Sequence, residues 1–169
     1  MNILGVFSDD QFPPSSITHS RFTARAIVEH QGKFAFLPIR GEDDFGIRDH
    51  IETIGGGIEA GESAQETIIR ECREEAGLDV EIKDFLGVII DAYHLIGRQT
   101  VSYFFLVSVT GEHKSYQRTE MEQSLMDEVL WLSKEESIEW LDREVSKIGR
   151  LIQRRDKAAF LEAVKILNQ

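Results

Sequence analysis

One stretch of the sequence, from Ile54 to Leu78, constrains the fold of this chain more than any other. It opens with three consecutive glycines, which predict a loop where backbone and ligand can approach closely. Ser63 and Glu66 then form the S-x-x-E pattern of a capping box, in which each side chain binds a free backbone N–H of the first helical turn. Gly77 suits the left-handed residue that closes a helix. The stretch therefore predicts a glycine loop followed by a helix from about Glu62 to Ala76.

One face of this predicted helix is apolar. At about 100° per residue, Ile68, Ile69, Cys72 and Ala76 fall within one arc of the helix surface. We expect this stripe to be buried against the core. Cys72 is the only cysteine of the chain, and its place on the stripe argues against a catalytic nucleophile.

An acidic cluster stands beside the apolar stripe. Glu71, Glu74 and Glu75 are neighbours on the helix surface because they are three and four residues apart. Like charges at this spacing cost about 0.2–0.5 kcal/mol per pair, so a positive charge should compensate them. One interpretation is a solvated acidic face with ion pairs to Arg70; the other is a divalent cation site, since Mg²⁺ prefers carboxylate oxygens, water and substrate phosphate.

The complete spacing favours the second interpretation. From Gly56 to Leu78 the sequence reads GGIEAGESAQETIIRECREEAGL. It resembles the signature of the Nudix hydrolases, GX5EX7REUXEEXGU with U apolar, and every fixed Gly, Glu and Arg position matches. The departures are mild: Cys72 stands at an apolar position, and Ile54 stands where many members have proline, which removes no ligand.

The resemblance implies an α/β fold, the Nudix-type α/β/α sandwich with a mixed sheet. It also implies hydrolysis of the pyrophosphate bond in a nucleoside diphosphate linked to another moiety, with Mg²⁺, or alternatively Mn²⁺, as cofactor. The implied metal ligands are Glu71 and Glu75, with Glu74 beside them and the Gly56 carbonyl contributing. The implied catalytic residues are Glu71, Glu74, Arg70 and Glu62, of which Arg70 and Glu62 would pair to hold the loop on the helix.

The sequence offers more than one candidate for the general base. In some relatives it is a glutamate of the signature, here Glu71, and in others it comes from a later loop. That loop would be GEHKSYQRTEMEQSLMDE, where Glu120, Glu122 and Glu128 are alternatives. Each of them can also be interpreted as an ordinary surface acid.

The nucleotide is not assigned by the sequence. Arg40 and Arg48 flank the polar stretch GEDDFGIRDH, which we interpret as a loop, and both could face a phosphate or simply be solvated. Tyr93 lies near the position of a tyrosine in dinucleoside polyphosphate hydrolases, although a structural aromatic explains it equally well. No proline follows Pro38, which argues weakly against an ADP-ribose hydrolase.

The rest of the chain alternates predicted strands and helices. The runs RFTARAIVEH and KFAFLPIR predict two strands joined by a tight turn, and the runs LDVEIKDFLGVIIDAYHL, VSYFFLVSVT and EVLWL predict three more. A capping box at Ser133 and Glu136 predicts a short helix, and residues 145–169 predict a C-terminal helical stretch of one or two helices. Residues 1–20 show no clear period and are interpreted as a lead-in segment. This order of elements predicts a mixed sheet covered on both faces.

Whole-chain properties bound the function. At 169 residues we expect a single domain, and the single cysteine suits a reducing cytoplasm. A net charge of −11 argues against nucleic acid polymers and membrane surfaces as general partners. The expected partner is therefore a small nucleoside diphosphate derivative. A homodimer is also compatible with the sequence. The competing hypothesis is a catalytically silent nucleotide-sensing or protein-binding module, but such members typically lose signature carboxylates that this chain retains.

Overall fold

A mixed eight-stranded sheet forms the centre of the molecule. The computed structural model describes all residues from 1 to 169. The strands are β1 (Ile3–Ser8), β2 (His19–His30), β3 (Lys33–Asp43), β4 (Gly46–Glu52), β5 (Ile54–Gly57), β6 (Leu78–Tyr93), β7 (Arg98–Glu112) and β8 (Leu130–Leu132). The helices are α1 (Ala64–Ala76), α2 (Glu120–Leu125), α3 (Lys134–Leu141) and α4 (Lys147–Leu167), with a short 3₁₀ turn at His94–Ile96.

The sheet carries helices on both faces, which confirms the predicted sandwich. Its strand order is β1-β6-β7-β2-β3-β4, with β5 pairing with β2 and β8 pairing with β3. The pairs β1/β6 and β2/β7 are parallel and the others antiparallel. Helix α1 packs on one face through Ile68, Cys72 and Ala76, whereas α4 packs on the other through Ala159 and Phe160. No helix combines the length and apolarity that crossing a membrane would require.

The predicted hairpin between β2 and β3 is confirmed. Gln31 and Gly32 join the two strands, and both have positive φ, at 51° and 76°. Two such residues give a turn whose twist matches that of the flanking strands.

The prediction of a polar loop over GEDDFGIRDH was wrong. The chain stays in β3 to Asp43, turns, and returns as β4 from Gly46, in antiparallel register with Arg40 opposite Asp49. Backbone pairing between the two strands stabilises this hairpin although few of its side chains are apolar. Residues 3–8 also form a strand where the sequence shows no period, because β1 lies at the sheet edge with Ile3 and Val6 exposed.

Helix α1 has the capping predicted for it. Ser63 is the N-cap with both capping-box hydrogen bonds, and Gly77 closes the helix with φ of 66°. The expectation that Ile69 is buried was wrong, since 48% of it is exposed. The buried face of the helix is rotated relative to the predicted one, and it includes Glu71 and Glu75 instead of Ile69. The acidic cluster is therefore not a solvated face.

Helix α4 is a single helix whose buried face includes two charged side chains. Arg155 is 2% exposed and Asp156 is fully buried. The Arg155 guanidinium contacts Asp156 at 2.6 Å and Glu52 at 3.1 Å, and Glu52 also contacts Arg25 at 2.7 Å. The backbone N–H of Thr53 donates to Asp156 at 2.7 Å. The network thus holds the residue directly before β5.

This network generates a stability prediction. Arg155→Met should lower the free energy of unfolding by about 3–5 kcal/mol, because it leaves the Asp156 carboxylate buried without its cation. Urea denaturation followed by circular dichroism measures the change. The control is Arg154→Met on the exposed side of α4, which should stay within about 0.5 kcal/mol of the native chain. Equal stability of the two variants would show that the buried pair does not stabilise the fold.

Candidate active site

A cavity of about 310 Å³ lies beside the glycine strand β5. Its walls come from strands β2 to β7 and from helices α1, α2 and α4. The carboxylates of Glu71, Glu75 and Glu122 line one part of it. A second group of lining residues is cationic and consists of Arg21, Arg25, Arg48, Arg98 and Arg155. The cavity therefore offers both cation ligands and anion ligands within one space.

The acidic part exists because α1 approaches the backbone of β5 very closely. A Cβ atom at Gly56 would stand 2.7 Å from the Glu71 carboxyl carbon and closer still to one of its oxygens, so any larger residue there would displace the Glu71 carboxylate. The backbone N–H of Gly55 donates to the Glu75 carboxylate at 3.0 Å. Glu71 and Glu75 are both buried, at 7% and 3% exposure.

Burial changes the acidity of both carboxyl groups. It raises the pKa of Glu71, against the lowering effect of Arg70. It also raises the pKa of Glu75 to about 8, and the charge of Glu71 adds to this shift. Glu75 has no ion-pair partner, since its only side-chain hydrogen bond is with Gly55. An anionic Glu75 is thus electrostatically unsatisfied.

Arg70 ties the loop before α1 to the helix. Its guanidinium donates two hydrogen bonds to Glu62, at 2.7 and 3.0 Å, and one to the Gly57 carbonyl at 3.2 Å. The hydrogen bonds from Arg70 lower the pKa of Glu62 to about 2. A further Arg70 nitrogen contacts Glu71 at 2.9 Å and Glu74 at 3.1 Å. One arginine therefore orients three acidic side chains.

The residues present fit a divalent cation, although no group of three metal-ligating side chains is assembled in this geometry. Glu74 points to Arg70 and does not line the cavity. Glu71 and Glu75 supply hard oxygen donors, and the Glu71 carboxylate lies against the backbone of Gly56. A cation there would stabilise the charged form of Glu75, whose pKa is raised and which makes no ion pair within the chain.

Only some of the other predicted site residues reach the cavity. Arg48 and Tyr93 line it, and so does Glu122, whose carboxylate accepts a hydrogen bond from the N-cap backbone of α2. Arg40 does not: its side chain is 71% exposed and pairs with Asp127 at 3.2 Å. Glu120 and Glu128 are exposed and lie outside the lining as well. The structure thus does not bring these three together with the site.

Several lining residues were not predicted from the sequence. They are Arg21, Arg25, Phe45, Glu52, Arg98 and Arg155. Arg155 did carry a signal, because it falls on the same helical stripe as Ile148 and Ile152. Arg25 also carried a signal, because it is a charged residue within the otherwise apolar run ARAIV. Nothing in the sequence indicates that Arg21 and Arg98 meet, because they become neighbours only when β2 pairs with β7.

The family model for the NUDIX domain matches residues 19–154. The chain belongs to the NUDIX domain family. This confirms the family that the α1 motif predicted. No curated protein sequence matches the chain.

Solved Nudix structures share the fold at low sequence identity. A NUDIX hydrolase from Nitrosomonas europaea is 16% identical with a TM-score of 0.63, over 82% of this chain and 86% of that one. A MutT protein from Methanosarcina mazei Go1 is 18% identical with a TM-score of 0.63, over 92% and 100%. A MutT NUDIX hydrolase from Burkholderia pseudomallei is 16% identical with a TM-score of 0.60, over 80% and 96%. Family membership makes the chain a pyrophosphohydrolase that acts on phosphoanhydrides.

The contact between Gly56 and Glu71 generates a prediction about activity. Gly56→Ala should lower kcat/KM for phosphoanhydride hydrolysis at least about 100-fold, because the new methyl group displaces the Glu71 carboxylate by about an ångström or more. Coupled phosphate release measures the loss. The matched control is Gly111→Ala in β7, where a Cβ atom would meet only the side chain of Asp79. If Gly56→Ala were as active as the control, the position of Glu71 would not matter for the reaction.

Proposed function

We propose that the chain hydrolyses the pyrophosphate bond of a nucleoside diphosphate linked to another moiety, with Mg²⁺ or Mn²⁺ as cofactor. Glu71 and Glu75 would hold the cation together with the Gly56 carbonyl, and Glu74 stands beside them. The observation that carries the proposal is the pair of buried carboxylates against a glycine strand, inside a cavity that also holds arginines.

The site residues have distinct roles in this proposal. A bound divalent cation supplies Lewis acidity, which neutralises the diphosphate and lowers the pKa of an attacking water. Arg70 keeps Glu71 oriented towards the cavity, and its bond to Glu62 fixes the loop between β5 and α1. The apolar lining from α2 and β3, including Leu37 and Leu125, limits access of bulk water to the reacting phosphate.

Two carboxylates remain candidates for the general base. Glu71 is the candidate within α1, and Glu122 is the candidate from the later segment because it lines the cavity near Glu71. We leave Glu120 and Glu128 out of the proposal, because their side chains lie outside the cavity. No observation favours a catalytically silent module, since Glu71, Glu74 and Glu75 are all retained.

The proposal predicts the effect of removing one cation ligand. Glu75→Gln should abolish Mg²⁺-dependent turnover while the fold is retained, because the amide keeps the shape of the side chain and loses its charge. Mutating a residue that only supports a metal ligand typically lowers metal affinity or activity by about 10–100-fold. Losing the ligand itself should therefore lower turnover by at least about 100-fold. A panel of nucleoside diphosphate derivatives with Mg²⁺, scored by phosphate release after coupling to a phosphatase, measures the turnover.

The control for this experiment is Glu139→Gln on the exposed surface of α3, which removes the same charge away from the cavity. It should keep full activity. Near-native rates in Glu75→Gln would remove the role assigned to this carboxylate, and the absence of any Mg²⁺-dependent turnover in the native chain would contradict the proposed reaction.

A further inference from the structure

Two arginines of the cavity have no carboxylate partner. Arg25, Arg48 and Arg155 each contact a carboxylate within about 3 Å. Arg21 and Arg98 make no ion pair, and the Nε atom of Arg98 is buried without a hydrogen-bond partner in the protein. Two unpaired guanidinium groups in one cavity are notable because the chain as a whole has a net charge of −11.

These two arginines are neighbours on one face of the sheet. In the parallel pairing of β2 with β7, His19 lies opposite Arg98 and Arg21 lies opposite Thr100, so the two arginines form a diagonal pair. The Arg98 guanidinium stacks on the Tyr93 ring, 4.9 Å from its centroid. Burial lowers the pKa of Arg98, and the nearby charge of Arg21 lowers it further. Arg21 is exposed and Arg98 is partly buried, so an anion bound between them would offset a repulsion that water screens only in part.

The pair lies across the glycine strand from the acidic part of the site. Successive residues of a strand face opposite sides. A Cβ atom at Gly56 would point at Glu71, whereas one at Gly57 would point at Arg21, whose nearest guanidinium nitrogen is 3.3 Å away. Consistently, Ala24 and Ala26 of β2 pack in the cluster that includes α1, whereas Thr23 and Arg25, which alternate with them, face the cavity.

We propose that Arg21 and Arg98 form a phosphate-binding subsite that is separate from the cation site at Glu71 and Glu75. The inference rests on the proposed function and extends it to the substrate class. Gly56 faces the carboxylates and Gly57 faces Arg21, so one cavity reaches two positions on opposite sides of β5, and we take a diphosphate held at the first to leave the second free for another group. The preferred substrate therefore carries a further phosphate or equivalent anionic group beyond its diphosphate.

The first test needs neither metal nor turnover. Protein in EDTA is titrated calorimetrically with inorganic tripolyphosphate. The double variant R21A/R98A should bind at least about 10-fold more weakly than the native chain, because both guanidinium groups would donate charge-assisted hydrogen bonds to the anion. Glu71→Gln should leave this affinity unchanged or raise it, since the carboxylate lies on the other side of β5.

The control for charge alone is Arg154→Ala, an exposed arginine outside the cavity, which should bind within about twofold of the native chain. Arg98→Lys retains the charge and should keep most of the affinity. Thermal melting checks that each variant is folded. Equal tripolyphosphate affinity of R21A/R98A and the native chain, or no binding by the native chain, would overturn the subsite.

The second test addresses the additional anionic group. With Mg²⁺ present, the native chain should bind α,β-methylene-ATP at least about 10-fold more tightly than α,β-methylene-ADP, and R21A/R98A should lose this difference. Equal binding of the two analogues by the native chain, or a difference that persists in the double variant, would overturn the inference. Both tests measure binding alone, so their failure is distinct from a failure of Mg²⁺-dependent hydrolysis.

Discussion

The contact between the Glu71 carboxylate and the backbone of Gly56 is the constraint on which the site depends. The Glu71 carboxylate can lie this close to β5 only because no side chain projects from Gly56. The same approach brings Glu75 to the N–H of Gly55 and buries both carboxylates. Burying two like charges is unfavourable unless a cation compensates them, and Arg70 supplies only part of that compensation because it contacts Glu71 and not Glu75.

The glycine strand is held from the opposite face by α4. Asp156 accepts the N–H of Thr53, and Arg155 keeps Asp156 and Glu52 in place. The C-terminal helical stretch is thus partly a structural element of the site, because its Arg155 is among the most buried side chains of the chain. Helix α1 supplies the acidic groups and α4 fixes the backbone beside them, so the strand between the two helices has little freedom to move.

The sequence predicted the local parts of this arrangement well and the non-local parts poorly. The caps of α1 at Ser63 and Gly77, and the turn at Gln31–Gly32, depend on neighbouring residues and were found from the sequence. The β3–β4 hairpin was missed because strand pairing, and not side-chain polarity, stabilises it. The meeting of Arg21 with Arg98 was also missed, since the two are 77 positions apart in the sequence and are brought together by β2 and β7.

The most direct measurement of the central claim is the anomalous diffraction of crystals soaked with Mn²⁺. If the buried carboxylates are cation ligands, a single strong anomalous peak will lie about 2.1 Å from oxygens of Glu71 and Glu75 and close to the Gly56 carbonyl. If these crystals at saturating Mn²⁺ showed the peak elsewhere, or none at all, with Glu75 still bound only to Gly55, the account would be contradicted.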